Sequence, residues 1–212
     1  MDLGLSNLIN LKNRLLPSDF VGGSTYDTLI TQLGRGIAYS FEEFCNRKWH
    51  RHVGHEDIFT ADRTCWIASR FPLETITAVD VKTDEASGWI SAGSVNGAIE
   101  SFNPQTGVIH FPSLLGDPTT FVRITYTGGY WYDTTEDNTG SLPSGATRLP
   151  YSIEEAYYLQ AMKVWETIDK QGANTGKSGG GNAGLLGLSL AGLDLVPVVR
   201  QTLISFRRMA IV

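Results

Sequence analysis

The side chains best suited to chemistry in this chain are three histidines, His50, His52 and His55, with Glu56, Asp57 and Cys45 close by in sequence. On a strand His50 and His52 share a face, as metal ligands must, and a small metal-dependent hydrolase could use such a cluster. The segment equally suits a solvated polar exit from a helix, and its spacing meets the ligand rules only loosely. Gly172-Ala173-Asn174-Thr175-Gly176-Lys177-Ser178 approximates a phosphate loop. It has three residues between its glycines where the motif has four, and it follows a helix where the motif follows a strand. No serine stands in a G-x-S-x-G elbow and no cysteine has an activating context. The carboxylate pairs Glu42-Glu43 and Glu154-Glu155 are sequence neighbours, which diverge by about 100° on a helix and so suit a solvated face better than a shared proton. The residues imply no catalytic centre, no cofactor and no bound metal.

The rest of the chain is built for packing. Its 212 residues are 42% hydrophobic and 18% charged, with a net charge of −5, which suits one good core or two modest ones. An acidic balance gives no general attraction to nucleic acid or anionic lipid, although an acidic lining lets DNA slide past without sticking. No apolar run nears the roughly 20 residues of a membrane span, and the first residues lack the basic and then apolar sections expected of a signal peptide. The two cysteines, Cys45 and Cys65, are expected as reduced thiols in a protein made in the cytoplasm.

Periodicity predicts a short helix over Leu5–Leu15, ended by Pro17, and a longer one from an N-cap at Ser24 to about Asn46. The longer helix carries the stripe Tyr26, Leu29, Ile30, Leu33, Ile37, Phe41, Phe44. From His55 to Thr127 short strands follow: Glu56–Thr60 and Cys65–Ile67 as a pair, then Phe71–Val81, Trp89-Ile90, Ile99–Phe102, Val108–Phe111 and Val122–Thr127. Asn103–Gly107 is a hairpin connection. Gly128 and Gly129 stop the last strand in a turn at positive φ, and Tyr130 and Trp131 follow. A surface loop leads to Pro150, and Ser152 caps a third substantial helix.

Residues 172–192 hold eight glycines and are expected as a flexible linker. Beyond it Leu186, Leu188 and Leu190 alternate as in a strand. Val199, Leu203, Phe206 and Ala210 then recur at helical spacing beside Arg200, Arg207 and Arg208. A tethered tail so apolar is expected to pack on another molecule.

The expected fold class is α+β: a small helical bundle carrying an inserted antiparallel β sandwich or barrel-like block, and an extended C-terminal arm. Residues 1–50 and 148–171 make the helical body, 51–132 the β domain and 133–147 a surface loop. Residues 172–187 form the linker and 188–212 the arm.

Several segments, in order, resemble the head–tail connector proteins of tailed bacteriophages, also called adaptor or head-completion proteins. They are Phe44-Cys45-Asn46-Arg47-Lys48-Trp49, Arg70-Phe71-Pro72-Leu73, Gly107-Val108-Ile109, Thr125-Tyr126-Thr127-Gly128-Gly129-Tyr130 and Leu149-Pro150. The resemblance covers about Leu5 to Ile168, together with the tail from Pro197 to Arg208. It implies a structural virion protein, not an enzyme, assembled in the host cytoplasm and resident in the neck. Such proteins form a ring, usually of twelve copies, under the portal, receive the next neck or tail protein and pass double-stranded DNA without sequence specificity; no membrane is involved. Val199, Arg200, Leu203, Phe206, Arg207 and Arg208 are then the residues that dock on the portal or a neighbouring copy. Gly128, Gly129, Tyr130, Trp131 and Pro150 form the structural turn. A tail-terminator or stopper ring is the other virion reading; those folds are mostly β, and three substantial helices oppose it.

Overall fold

The computed structural model describes residues 5–84, 86–135, 139–175 and 194–208. The chain divides into two compact units. The first comprises 1–45, 132–142 and 149–207, and the second 46–131, 143–148 and 208–212. The fold class is α+β, as the periodicities imply.

The first unit is helical: α1 (Leu8–Leu15), α2 (Ser18–Val21), α3 (Asp27–Cys45), α5 (Tyr151–Thr175) and α6 (Pro197–Ile204). Helix α1 starts where Asn7 accepts the Asn10 N–H at 2.8 Å, filling one orphan donor of the first turn. In α3 most of the predicted stripe holds: Ile30, Leu33, Ile37 and Phe41 are buried and Leu29 and Phe44 half-buried, while Tyr26 precedes the helix and is exposed. The helix starts at Asp27, three residues after the expected cap, and ends at Asn46, whose φ of 50° turns the chain out of the helical path. Helix α5 is the hub, packing against α1, α3 and α6. That is why its buried residues, Ile153, Ala156, Tyr157, Tyr158, Ala161 and Val164, cover a wider arc than one stripe. Ser152 lies inside this helix, and the Pro150 carbonyl accepts from Ile153 and Glu154 at its start. The helix continues to Thr175, so Gly172–Thr175 are helical and the expected linker cannot begin at 172. The rest of that linker, and the strand expected at Leu186–Leu190, lie outside the described residues.

The second unit is the β block. One sheet has the order β1-β7-β3-β4, formed by His52–Thr60, Phe121–Gly128, Leu73–Lys82 and Ile90–Ser91, all antiparallel. A second has the order β2-β6-β5, from Cys65–Ile67, Val108–His110 and Ser101–Phe102. Strand β8 (Tyr130–Trp131) pairs in parallel with β9 (Thr147–Arg148), so the expected loop 133–147 ends in a strand. Leu73, Val79, Ile109, Phe111, Val122, Ile124 and Tyr126 share one core, which also takes in Ala98 at the end of the short helix α4 (Val95–Ala98). Of the strand expected at Ile99–Phe102 only Ser101–Phe102 forms, since Ile99 caps the end of that helical turn. The Asn103–Gly107 hairpin is present, with the Asn103 side chain accepting from Gln105 and Thr106.

The expected β1–β2 hairpin is absent: β1 pairs with β7 and β2 with β6. A three-residue β2 offers a short ladder, whereas β7 offers pairing from Thr60 back to His52. The longer ladder also places Phe59 against the shared core.

Candidate functional site

Four of the sequence segments that carry the resemblance meet at one place in the β unit. The chain enters it through Asn46-Arg47-Lys48-Trp49 and leaves through Gly128-Gly129-Tyr130-Trp131. Trp49 is fully buried and its ring stacks on Tyr130, with centroids 6.1 Å apart at 23°. The backbones are laced beside them: Tyr130 N–H donates to the Trp49 carbonyl at 2.7 Å and Arg51 N–H to the Tyr130 carbonyl at 2.9 Å.

Arg47 is buried at the centre. Its guanidinium lies 3.4 Å from the Phe71 ring centroid, 4.6 Å from Trp49 and 5.2 Å from Tyr130, and it donates to the Phe71 carbonyl. A delocalised cation is weakly hydrated and suits three aromatic faces and a carbonyl better than an ammonium would. The Phe71–Pro72 bond is cis, and the Pro72 carbonyl accepts the Gly129 N–H at 2.9 Å. Arg70 donates to the His50 carbonyl, and Arg51 grips Glu74 through two bonds of 2.7 and 2.8 Å.

The two glycines serve different ends. Gly129 has a φ of +98°, and a Cβ there would stand 2.6 Å from the His50 carbonyl oxygen. Gly128 does not adopt positive φ, contrary to expectation; a Cβ there would stand 2.6 Å from the Arg70 carbonyl oxygen and 3.0 Å from that of Pro72. Close backbone approach, not dihedral freedom, requires glycine at Gly128. Trp131 is half-buried with the Arg148 guanidinium 6.0 Å from its ring.

The chemistry suggested by the histidines resolves into a polar pin. Asp57 accepts the Ser69 N–H, the Ser69 hydroxyl and the Tyr126 hydroxyl, each at 2.7 Å. His55 Nε2 lies 3.1 Å from Ser69 Oγ and 3.3 Å from Asp57 Oδ1. A nucleophilic triad needs an imidazole between serine and carboxylate, using one nitrogen for each. Here one nitrogen faces both groups and the carboxylate holds the serine hydroxyl directly. Burial and then the Arg70 guanidinium lower the His55 pKa, with Asp57 opposing. Burial, then Asp57, pushes the Tyr126 hydroxyl up. No group of three or more metal-ligating side chains is gathered among the described residues. His52 and His55 approach ring to ring at 5.6 Å, the His50 carbonyl is taken by Arg70, and the Cys45 thiol, in the helical unit, contacts the Leu203 carbonyl at 3.6 Å.

The expected docking residues separate into two sets. Val199 and Leu203 are fully buried in the chain's own helical unit, where α6 packs on α5 and α3. The expectation that this tail finds its burial only on another molecule is therefore corrected for these two. The buried Gln160 amide helps hold the segment, donating to the Asp194 carbonyl at 3.2 Å and accepting the Val196 N–H at 3.0 Å. Arg200 and Arg207 are exposed, each with its guanidinium under 6 Å from the Phe44 ring (5.7 and 5.8 Å). Phe206 is half-buried. Arg208 belongs to the β unit, donating to the Ile67 carbonyl 5.2 Å from the Trp66 ring. Ala210 lies outside the described residues. The Arg47 clamp and the Asp57 pin went unseen in the sequence, since nothing local marks a charged residue for burial.

No family model matches this sequence, and no curated protein matches it. Solved structures do. The fold is similar to that of a chain in the neck of an empty gene transfer agent particle computed with C6 symmetry, with a TM-score of 0.60 and 13% identity, covering 98% of this chain and 92% of that one. A chain of the native gene transfer agent virion matches at a TM-score of 0.53 and 14% identity, over the same shares of both chains. At such identity the fold is what is shared.

Proposed function

We propose that this chain is a structural protein of the neck of a tailed, phage-like particle. Copies form a ring of twelve under the portal, join the capsid to the next neck or tail protein, and leave a channel through which double-stranded DNA passes. The observation that carries the reading is the match of nearly the whole chain to a chain of a particle neck. The sixfold symmetry applied to that neck is compatible with a twelve-membered ring. The Arg47 clamp adds to it, because the segments that resemble connector proteins build one packed feature of the fold. Arg200, Phe206, Arg207 and Arg208 are the residues we assign to docking on the portal or a neighbouring copy, with Val199 and Leu203 holding α6 in place behind them.

The structural reading is preferred to the metal-dependent hydrolase because a particle-neck chain matches nearly the whole fold, while no three metal-ligating side chains are gathered among the described residues. Particles assembled without this chain test the proposal. They are expected to be DNA-filled heads without tails, and complementation should restore the tails; fully tailed particles in its absence refute it.

A further inference from the structure

Most arginine side chains here have a polar partner within the chain. Arg14, Arg51, Arg63 and Arg123 each pair with a carboxylate, and Arg47, Arg70 and Arg208 donate to backbone carbonyls. The side chains of Arg200 and Arg207 do neither among the described residues. Both are exposed, and their guanidinium groups lie 5.7 and 5.8 Å from one ring, that of the half-buried Phe44 on α3. Two like charges held at one ring repel, and an anion set between them removes that cost. Ile204 follows Arg200 by four residues, which puts it on the same side of α6, and it is 53% exposed. The patch therefore joins two unneutralised cations to a branched apolar side chain.

That composition selects the partner. A phosphate backbone would use the arginines and leave Ile204 bare, whereas a carboxylate beside an apolar group uses all three side chains. The planar guanidinium takes a carboxylate through two parallel bonds. Another copy of this chain offers an acidic surface: residues 197–212 hold three arginines and no carboxylate, so the net charge of −5 lies wholly in the other residues.

Helix α3 carries a group that matches. Tyr39 is 57% exposed, and Glu43, one turn further on, is exposed beside its hydroxyl. No cation pairs with Glu43 among the described residues. Tyr39 and Phe44 are five residues apart, about 140° around the helix, so the acidic face and the arginine patch point different ways. Two complementary patches on different faces make a head-to-tail contact, the kind that closes a ring.

We infer that Arg200 and Arg207 of one copy take the Glu43 carboxylate of the next copy, with Ile204 against Tyr39. This joint rests on the ring reading above and names the side chains that connect its copies.

The test uses two variants of the full chain, Arg200→Glu with Arg207→Glu, and Glu43→Arg. Each is mixed with portal rings and imaged by negative stain beside the wild-type chain. All the altered side chains are exposed, so each Tm should stay close to wild type. Either variant alone sets like charges at every joint and should add no ring. The two in equal amounts alternate opposite charges around the circle and should restore the ring, as should all three substitutions in one chain. Rings from either variant alone, or no recovery on mixing, overturn the joint and leave the ring reading standing. Should a variant unfold, Ile204→Cys mixed with Tyr39→Cys, both with Cys65→Ser, takes its place. Oxidation on portal rings is then expected to give a disulfide-linked dimer, and rings without that bridge overturn the joint. A short DNA duplex bound by the wild-type chain and lost by an arginine variant that still forms rings assigns the patch to phosphate and overturns it too. Portal rings left bare by the wild-type chain defeat the joint and the ring reading together.

Discussion

Replacing Gly129 with alanine tests the clamp most sharply, because the structure predicts two separable losses. The first is conformational: at a φ of +98° an L side chain costs about 1–2 kcal/mol. The second is steric. The new Cβ would stand 2.6 Å from the His50 oxygen, 2.9 Å from its carbon and 3.0 Å from Arg51 Cα, all backbone atoms that cannot rotate away. Relief requires opening the strap between Trp49, Arg51 and Tyr130, whose two hydrogen bonds are worth about 1 kcal/mol each. The expected total is about 3–4 kcal/mol, or a Tm lower by roughly 6–16 °C for a chain of this size. Gly54→Ala is the matched control: φ is +68° but nothing lies within 4 Å, so only the first loss of about 1–2 kcal/mol applies. Urea unfolding followed by tryptophan fluorescence measures both, since Trp49 lies in the clamp. Equal losses for the two variants would refute the steric argument, and no loss at Gly129 would refute both.

Three further outcomes follow from the same geometry. Asp57→Ala strands the Ser69 N–H and removes the shortest partner of the Tyr126 hydroxyl, which keeps Ser69 Oγ and the Arg70 N–H; it should cost about 2–4 kcal/mol in urea unfolding, and a double-mutant cycle with Tyr126→Phe should show coupling, which independent side chains would not. Deleting Pro197–Val212 removes the buried Val199 and Leu203 and should destabilise the free protein by about 3–6 kcal/mol; an unchanged Tm would show that α6 contributes nothing before assembly. Burial, then the opposing Ser6 bond, then Glu154, leaves the Tyr158 hydroxyl pushed up to about 12. The folded state therefore favours the neutral phenol, so this stabilisation is complete below the ordinary tyrosine value near 10 and is lost as pH rises toward about 12. Tyr158→Phe should flatten that alkaline limb of the stability curve, and an unchanged limb would assign it elsewhere.

Local pattern carried much of the architecture. The stripe Ile30, Leu33, Ile37, Phe41 is a period-3.6 signal, and Asn103–Gly107 holds its own turn through the Asn103 side chain, so both were legible from adjacent residues. Strand pairing was not, because β1 finds β7 more than sixty residues away through a shared core that no local pattern encodes. Arg47 looked like a solvated helix exit, since the three rings that surround it come from separate segments. The tail misled for a related reason. After a glycine run, Val199 and Leu203 have no local partner in sequence, and the face that covers them is supplied by α5 and α3. The unusually wide buried arc of α5, with Ala156, Tyr157, Ala161 and Val164 all inside, was the available hint that a further helix packs there.

The central claim is that copies of this chain assemble as a ring on the portal. Negative-stain images of the purified protein, alone and mixed with purified portal rings, test it most directly. The account predicts an added ring of twelve copies, coaxial with the portal and open along its axis. Portal rings that stay bare in the presence of excess folded protein would contradict it.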